Sequence, residues 1–268
     1  MDEHLRVACD THTHTIYSRH AYSTIEECVR AASERGLELL GSTDHYSAML
    51  STTLDVRDFQ FYINRVCWPR EWHGVRLLRG CEADIVDLEG HLFGHDLMLT
   101  TSIVGSHMPP ISLKDEVFRD CDYVIASVHN LEPMDGCTPA EGTAMYEAAL
   151  ADPKVLILGH IGRAGVPFEV APLVRAAGEA HKLVEVNEHP FDRHDERVEA
   201  LCRRLAECCA EEGTGIVVNS DAHISCDIGR LDRSIAMLEE IHFPQELIAN
   251  RSADAFESAL ADAGLGLR

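Results

Sequence analysis

Long apolar runs are missing from this sequence. No stretch reaches membrane-spanning length, and no apolar secretory segment follows Met1-Asp2-Glu3-His4. Basic residues are scarce: 23 Lys and Arg stand against 45 Asp and Glu, a formal net charge of −22. Nucleic-acid binding draws its affinity from Lys and Arg on phosphates, so this balance opposes a nucleic-acid polymer as partner, while leaving a local basic patch open. Bound divalent cations would offset part of the acidity. The ten cysteines form no Cys-x-x-Cys pair, and Cys208-Cys209, the adjacent pair, falls in a helical pattern. A disulfide framework is not expected, and the cysteines read as small core residues of a reduced, cytoplasmic enzyme. No Pro/Ser-rich linker and no internal repeat divides the 268 residues, so one domain over 1–268 is expected.

What is present is an alternation of short apolar strands and amphipathic helices. Strands are predicted at Leu5 to Cys9, Leu37 to Ser42, Val75 to Cys81, Tyr123 to Val128, Val155 to Leu158, Leu183 to Val186 and Ile216 to Val218. Between them, Ser23-Thr24-Ile25-Glu26 has the form of a capping box, with Ser23 as N-cap, and Gly36 stops that helix. Thr138-Pro139-Ala140-Glu141 repeats the signature. Further helices are predicted near 58–66, 169–180, 195–211, 229–240 and 253–261, and residues 86–118 read as an excursion without confident elements. Strands alternating with helices imply βα units and parallel pairing, and a single barrel-like domain fits better than an open sheet.

In such barrels the working residues sit at the C-terminal strand ends. There fall His12 and His14, then His45, Glu82, His129, His160, Asp221 and His223. In a strand, residues i and i+2 share a face, so His12 with His14, and Asp221 with His223, form same-face pairs. Imidazoles and carboxylates suit zinc, manganese or iron. There are more of them than one ion's four to six positions can use, and a carboxylate such as Glu82 can bridge, so a multinuclear cluster is the economical reading.

Asp10-Thr11-His12-Thr13-His14, His20-Ala21-Tyr22-Ser23, Thr43-Asp44-His45, Gly80-Cys81-Glu82-Ala83, Ser127-Val128-His129, Gly159-His160 and Ser220-Asp221-Ala222-His223 together resemble the PHP (polymerase and histidinol phosphatase) family, in order and separation, from Asp10 to His223. His20 resembles the extra ligand of its stand-alone, trinuclear-metal phosphatases. The resemblance implies a distorted TIM-like (β/α)7 barrel with three divalent ions at its mouth, zinc first, iron or manganese also compatible. It implies one ion on His12, His14, Glu82 and Asp221, a second on Glu82, His129 and His160, and a third on His20, His45 and His223. Hydrolysis of small phosphomonoesters follows, by water that loses its proton between two cations, with no separate protein base. The phrase His160-Ile161-Gly162 departs from the family's His-Pro-Gly at the turn and keeps the ligand.

Other residues admit two readings. Asp10 and Asp44 read as supports behind the ligands, Asp44 by orienting an imidazole. Arg19 and Arg163 fit substrate phosphate or a surface acid equally well. His189 and His194 flank the sixth strand end, where loop histidines outweigh a lid or substrate contact. His91, His95 and His107 receive no metal role, and Trp68 and Trp72 read as packing residues. The alternatives are a metal-dependent amidohydrolase, whose bridging modified lysine finds Glu82 in its place, a PHP-type nuclease acting on nucleotides, and a non-enzymatic metal-binding protein.

Overall fold

Seven parallel strands, hydrogen-bonded in sequence order, organise the computed structural model, which describes residues 4–50, 55–192 and 195–267. They are β1 (Cys9–Thr13), β2 (Leu39–Ser42), β3 (Val75–Asp84), β4 (Tyr123–Ser127), β5 (Val155–Leu158), β6 (Leu183–Asn187) and β7 (Ile216–Asn219). The sheet curls into a nearly closed barrel. At the seam, β1 and β7 meet through one parallel backbone bridge, Thr13 to Ala222.

Buried backbone groups that lack a ladder partner need another one. Here side chains supply it. Asn250 Nδ2 donates to Cys9 O (2.8 Å) and Val218 O (2.7 Å), while its Oδ1 accepts from Val218 N (3.0 Å). Asn219 Oδ1 accepts from both the backbone N and the hydroxyl of Thr11 at 2.8 Å. The Asp10 carboxylate accepts from Ser220 Oγ (2.5 Å) and Gly229 N (2.8 Å). Asp10 therefore closes the barrel and touches no imidazole in these contacts.

Helices α1 (Ile25–Glu34), α2 (Pro139–Leu150), α3 (Val170–Glu179), α4 (Glu196–Glu212), α5 (Asp232–Glu240) and α6 (Ala253–Asp262) accompany the strands. The last plugs the barrel floor: Ala253, Phe256 and Leu260 pack among Cys9, Leu39, Tyr123 and Leu183, at the N-terminal strand ends. Full burial of a ring such as Phe256 contributes about 1.5–3 kcal/mol. Inside, Tyr123 Oη donates to Thr11 O at 2.6 Å. Gly41 makes room for it, since a Cβ there would lie 1.9 Å from that hydroxyl.

Several expectations shift. The first strand is Cys9–Thr13, not Leu5 to Cys9, so the polar run bearing His12 is itself strand and wholly buried. The first helix caps one residue later than expected: Thr24 and Glu27 form the reciprocal box. Ser23 Oγ instead accepts from Ser225 N at 2.9 Å, tying this loop to the one after β7. The stretch expected as one helix at 58–66 is broken into 3-10 turns, Val56–Phe59 and Arg65–Cys67, around the short helix Gln60–Asn64. The excursion contains an antiparallel hairpin, Met98–Thr101 with His107–Ser112, and the short helix Leu113–Phe118. All ten cysteines are free, most of them buried. His194 lies outside the described residues. No helix among the described residues is long and apolar enough to cross a membrane.

Candidate metal centre

The site begins with how each imidazole is held. His12 Nδ1 pairs with Glu185 Oε1 at 2.7 Å. His14 Nδ1 pairs with Ser18 Oγ at 3.1 Å, and that hydroxyl donates onward to Asp44 Oδ1 at 2.6 Å. His129 Nδ1 pairs with Asp84 Oδ1 at 2.6 Å, and His223 Nδ1 with the Asp221 carbonyl at 2.9 Å. In each case the partner at Nδ1 orients the ring so that Nε2 points into the site, and once the Nε2 proton is lost that atom can serve a Lewis acid. Asp44 reaches the His14 ring through Ser18 rather than bonding an imidazole itself. Ser18, Asp84 and Glu185 were not singled out from the sequence. Their signal was there: Asp84 shares a strand face with Glu82, and Glu185 is the one acid within Leu183-Val184-Glu185-Val186, buried on all sides.

The freed atoms converge. His12 Nε2 lies 3.4 Å from Glu82 Oε1 and 3.6 Å from Asp221 Oδ1. His14 Nε2 lies 3.6 Å from Glu82 Oε2 and 3.1 Å from Asp221 Oδ1. His129 Nε2 is 3.4 Å from Glu82 Oε1, and His160 Nε2 is 2.7 Å from the same oxygen. Tetrahedral ligands about 2.0–2.1 Å from one zinc ion stand roughly 3.3 Å apart, and most of these spacings fall near that value. Outside this group, His20 Nε2 approaches His45 Nε2 (3.3 Å) and His223 Nε2 (2.9 Å). His45 turns its other nitrogen, Nδ1, to within 2.7 Å of Glu82 Oε2.

Buried polar atoms are almost always hydrogen-bonded. Among the described residues, His12 Nε2, His14 Nε2, His45 Nδ1, Glu82 Oε2 and Asp221 Oδ1 are buried and make no hydrogen bond of good geometry, the 2.7 Å approach of His45 Nδ1 to Glu82 Oε2 included. So many unpaired atoms at one spot fit bound cations, and the nitrogen and oxygen donors suit zinc, manganese or iron. Backbone strain marks the same spot. His160 and Asp221 occupy the left-handed region, at φ 33° and 54°, which costs non-glycine residues about 1–3 kcal/mol.

The electrostatics are those of interlocked charges. Burial penalises Glu82, yet His129, His12 and His45 hold its carboxyl well below the usual range. Burial likewise opposes Asp221, and His12, His14 and Arg163 outweigh it. Against its own burial, His12 is pushed well up by Glu185, Glu82 and Asp221. Burial also opposes the charge on His129, but Glu82 and Asp84 raise it to about 10. Burial and the neighbouring His45 push His14 well down.

A cavity of about 340 Å³ opens over these groups, lined by His20, His45, His129 and His223 together with Arg163, Glu188, His189 and Arg230. Arg163 Nη2 is hydrogen-bonded to Asp221 Oδ2. Arg19 is exposed and is not part of this lining. Glu188 caps α5, accepting from Arg233 N (3.0 Å) and Ser234 N (2.8 Å). Trp68 and Trp72 pack beside Cys28, Val29 and Leu77, as expected. His107 is exposed on the hairpin, away from the mouth lining.

The family model described as PHP domain matches residues 10–221. A protein of Acetivibrio thermocellus named "Probable phosphatase" is 36% identical over 255 residues, covering 94% of this chain and 95% of that one. A second of that name, from Caldanaerobacter subterraneus subsp. tengcongensis, is 34% identical over 260 residues, covering 96% and 92%. Among solved structures, the histidinol phosphate phosphatase of Lactococcus lactis, complexed with zinc, L-histidinol and phosphate, superposes with a TM-score of 0.57 at 18% identity, covering 88% of this chain and 94% of that one. The last likeness speaks to fold. The family match spans the strand ends from Asp10 to Asp221, and with full-length relatives above 30% identity it shows that this chain belongs to the PHP domain family.

Proposed function

We propose that the barrel mouth hydrolyses small phosphomonoesters with the help of three divalent cations, zinc first among them. The coarser statement, that this PHP protein is a metal-dependent hydrolase of phosphoric esters, stands on its family and on full-length relatives named phosphatases. The observation that carries the finer reading is the convergence of unpaired, buried ligand atoms at shell-edge spacing beneath a cavity of about 340 Å³. A volume near the small end of ligand pockets favours a monoester over a polymer.

In this reading His12, His14, Glu82 and Asp221 hold one ion, Glu82, His129 and His160 a second, and His20, His45 and His223 a third. Cations so held supply Lewis-acid activation of water and offset charge on the phosphoryl oxygens. The chain's own work is positional. Glu185, Ser18 and Asp84 keep the imidazoles in the tautomer and rotation that present a lone pair. Arg163, on the cavity wall beside Asp221, offers its remaining guanidinium donors to a phosphate oxygen. Glu82 stands where an amidohydrolase places its modified lysine, which weighs against that alternative.

The test is anaerobic purification, metal analysis, and a panel of phosphomonoesters, phosphodiesters and cyclic amides with each metal restored. Release of phosphate from monoesters is expected. A fully metallated protein that leaves every monoester intact would refute the proposal, and cleavage of cyclic amides would favour the amidohydrolase instead.

A further inference from the structure

A second donor cluster lies outside the barrel mouth, at the start of the excursion. Asp87, His91 and His95 each place one ligand atom within 4.8 Å of the other two. Spacing of four residues suggests a helix, but this segment is not one. Two successive turns do the work: Gly90 N donates to Asp87 O (3.2 Å), and His95 N donates to Leu92 O (3.1 Å). His91 then lies against Asp87, with Nδ1 2.9 Å from Oδ2 and its backbone N 3.0 Å from Oδ1. The imidazoles of His91 and His95 stack with centroids 4.3 Å apart and planes 6° from parallel.

The turns are pinned from beneath. Leu92 and Phe93 are buried in the main core, and Phe93 packs its ring 5.1 Å from that of Tyr46. Ile85 bridges to Leu92. Gly90, in the left-handed region, sits so tightly on α2 that a Cβ would come 2.5 Å from the Met145 carbonyl. The three side chains are therefore presented on a fixed frame. A separate observation points to a ligand here. His95 Nδ1 is closed off from solvent and has no hydrogen-bond partner among the described residues. Asp96 Oδ1 stands 3.9 Å from it, too far to bond directly but near enough to share a cation.

We propose that Asp87, His91 and His95 form a second divalent transition-metal site, distinct from the barrel mouth, with Asp96 or water completing the shell. Two imidazoles and a carboxylate suit zinc, copper or nickel rather than magnesium or calcium. The ions required for hydrolysis lie elsewhere, so this site is separable from the phosphatase reading and neither depends on the other.

The experiment is equilibrium dialysis of the full chain against ZnCl2, with zinc per chain measured for wild type, for the double variant His91→Gln/His95→Gln, for Asp87→Asn, and for His107→Gln as an exposed control from the same excursion. The double variant is expected to hold one zinc fewer than wild type, with phosphate release unchanged, and His107→Gln to match wild type. Asp87→Asn keeps an oxygen to accept the His91 backbone N–H, so it tests the ligand without dismantling the turn. It is expected to weaken the additional zinc by at least about tenfold. Zinc content and affinity equal to wild type in both the double variant and Asp87→Asn would overturn the proposal.

Discussion

Replacing Glu185 with glutamine tests whether the ligand tautomers are set from behind. Glu185 Oε1 accepts from His12 Nδ1 (2.7 Å) and Asn219 Nδ2 (2.9 Å), and Oε2 from His160 N (2.7 Å) and Asn187 Nδ2 (3.1 Å). The carboxylate faces four donors and offers none. A glutamine keeps the shape but turns one oxygen into an NH2. The backbone N–H of His160 cannot change roles, whereas an imidazole can. The amide oxygen therefore settles toward His160, and the NH2 faces His12. His12 Nδ1 must then accept, and its proton moves to Nε2, the atom aimed at the cation. Asn219 Nδ2 is left facing a donor, at a cost of about 1–3 kcal/mol in stability. Loss of a partner that orients a ligand histidine typically weakens metal binding about 10- to 100-fold, or roughly 1.4–2.7 kcal/mol. The assay is zinc affinity of Glu185→Gln by chelator competition, beside its melting temperature and its phosphate release in excess zinc. Wild-type zinc affinity in a folded Glu185→Gln protein would refute this reasoning.

Four further outcomes follow from the geometry. Arg163→Lys should keep its metal content but raise KM for a phosphomonoester about tenfold, because an ammonium cannot reproduce the fork, while Arg19→Ala should leave steady-state kinetics unchanged. Equal effects of the two substitutions would contradict the assignment of Arg163 to the substrate phosphate. Asn250→Ala should lower stability by about 2–4 kcal/mol by leaving seam groups unpaired, as read from urea unfolding, and a change below about 0.5 kcal/mol would show the seam closed by other means. Glu82 and Asp84 hold the His129 imidazolium at about 10 in the chain alone, so at pH 7 it carries a proton that cation uptake must expel. Binding enthalpy should therefore depend on the buffer's ionisation heat, and zinc affinity should fall as pH falls. Buffer-independent enthalpy would contradict this. His12→Ala and Glu82→Ala should each lower metal content and hydrolysis together, and undiminished hydrolysis in a verified metal-depleted variant would reject the ligand assignment.

The strand-end pattern was legible because barrel topology carries function to one rim, and six of the seven strands lead into a histidine or acid of that rim. What escaped the sequence had physical reasons. The strand Cys9–Thr13 is polar in composition but fully buried, so hydrophobicity pointed upstream to Leu5 and Val7. Ser23 and Thr24 both begin a pattern with an acid three residues on, and only the tie from Ser225 to Ser23 decides which one caps the helix. The hairpin His107–Ser112 holds Pro109-Pro110 and faces solvent along most of its length, so neither alternation nor propensity announces it. Ser18, Asp84 and Glu185 act through other side chains, and their role shows only when β3, β6 and the loop after β1 are brought together. His91 and His95 draw no metal role from the sequence, because their spacing from Asp87 means nothing until the two turns are seen.

The central claim is met most directly by metal-edge anomalous diffraction from crystals grown with zinc. Three peaks in the barrel mouth are expected, within bonding distance of His12, His14 and Asp221, of His129 and His160, and of His20, His45 and His223, with Glu82 reaching two of them. A mouth that binds no zinc at saturating concentration, or a single peak with the remaining histidines turned away, would contradict the account.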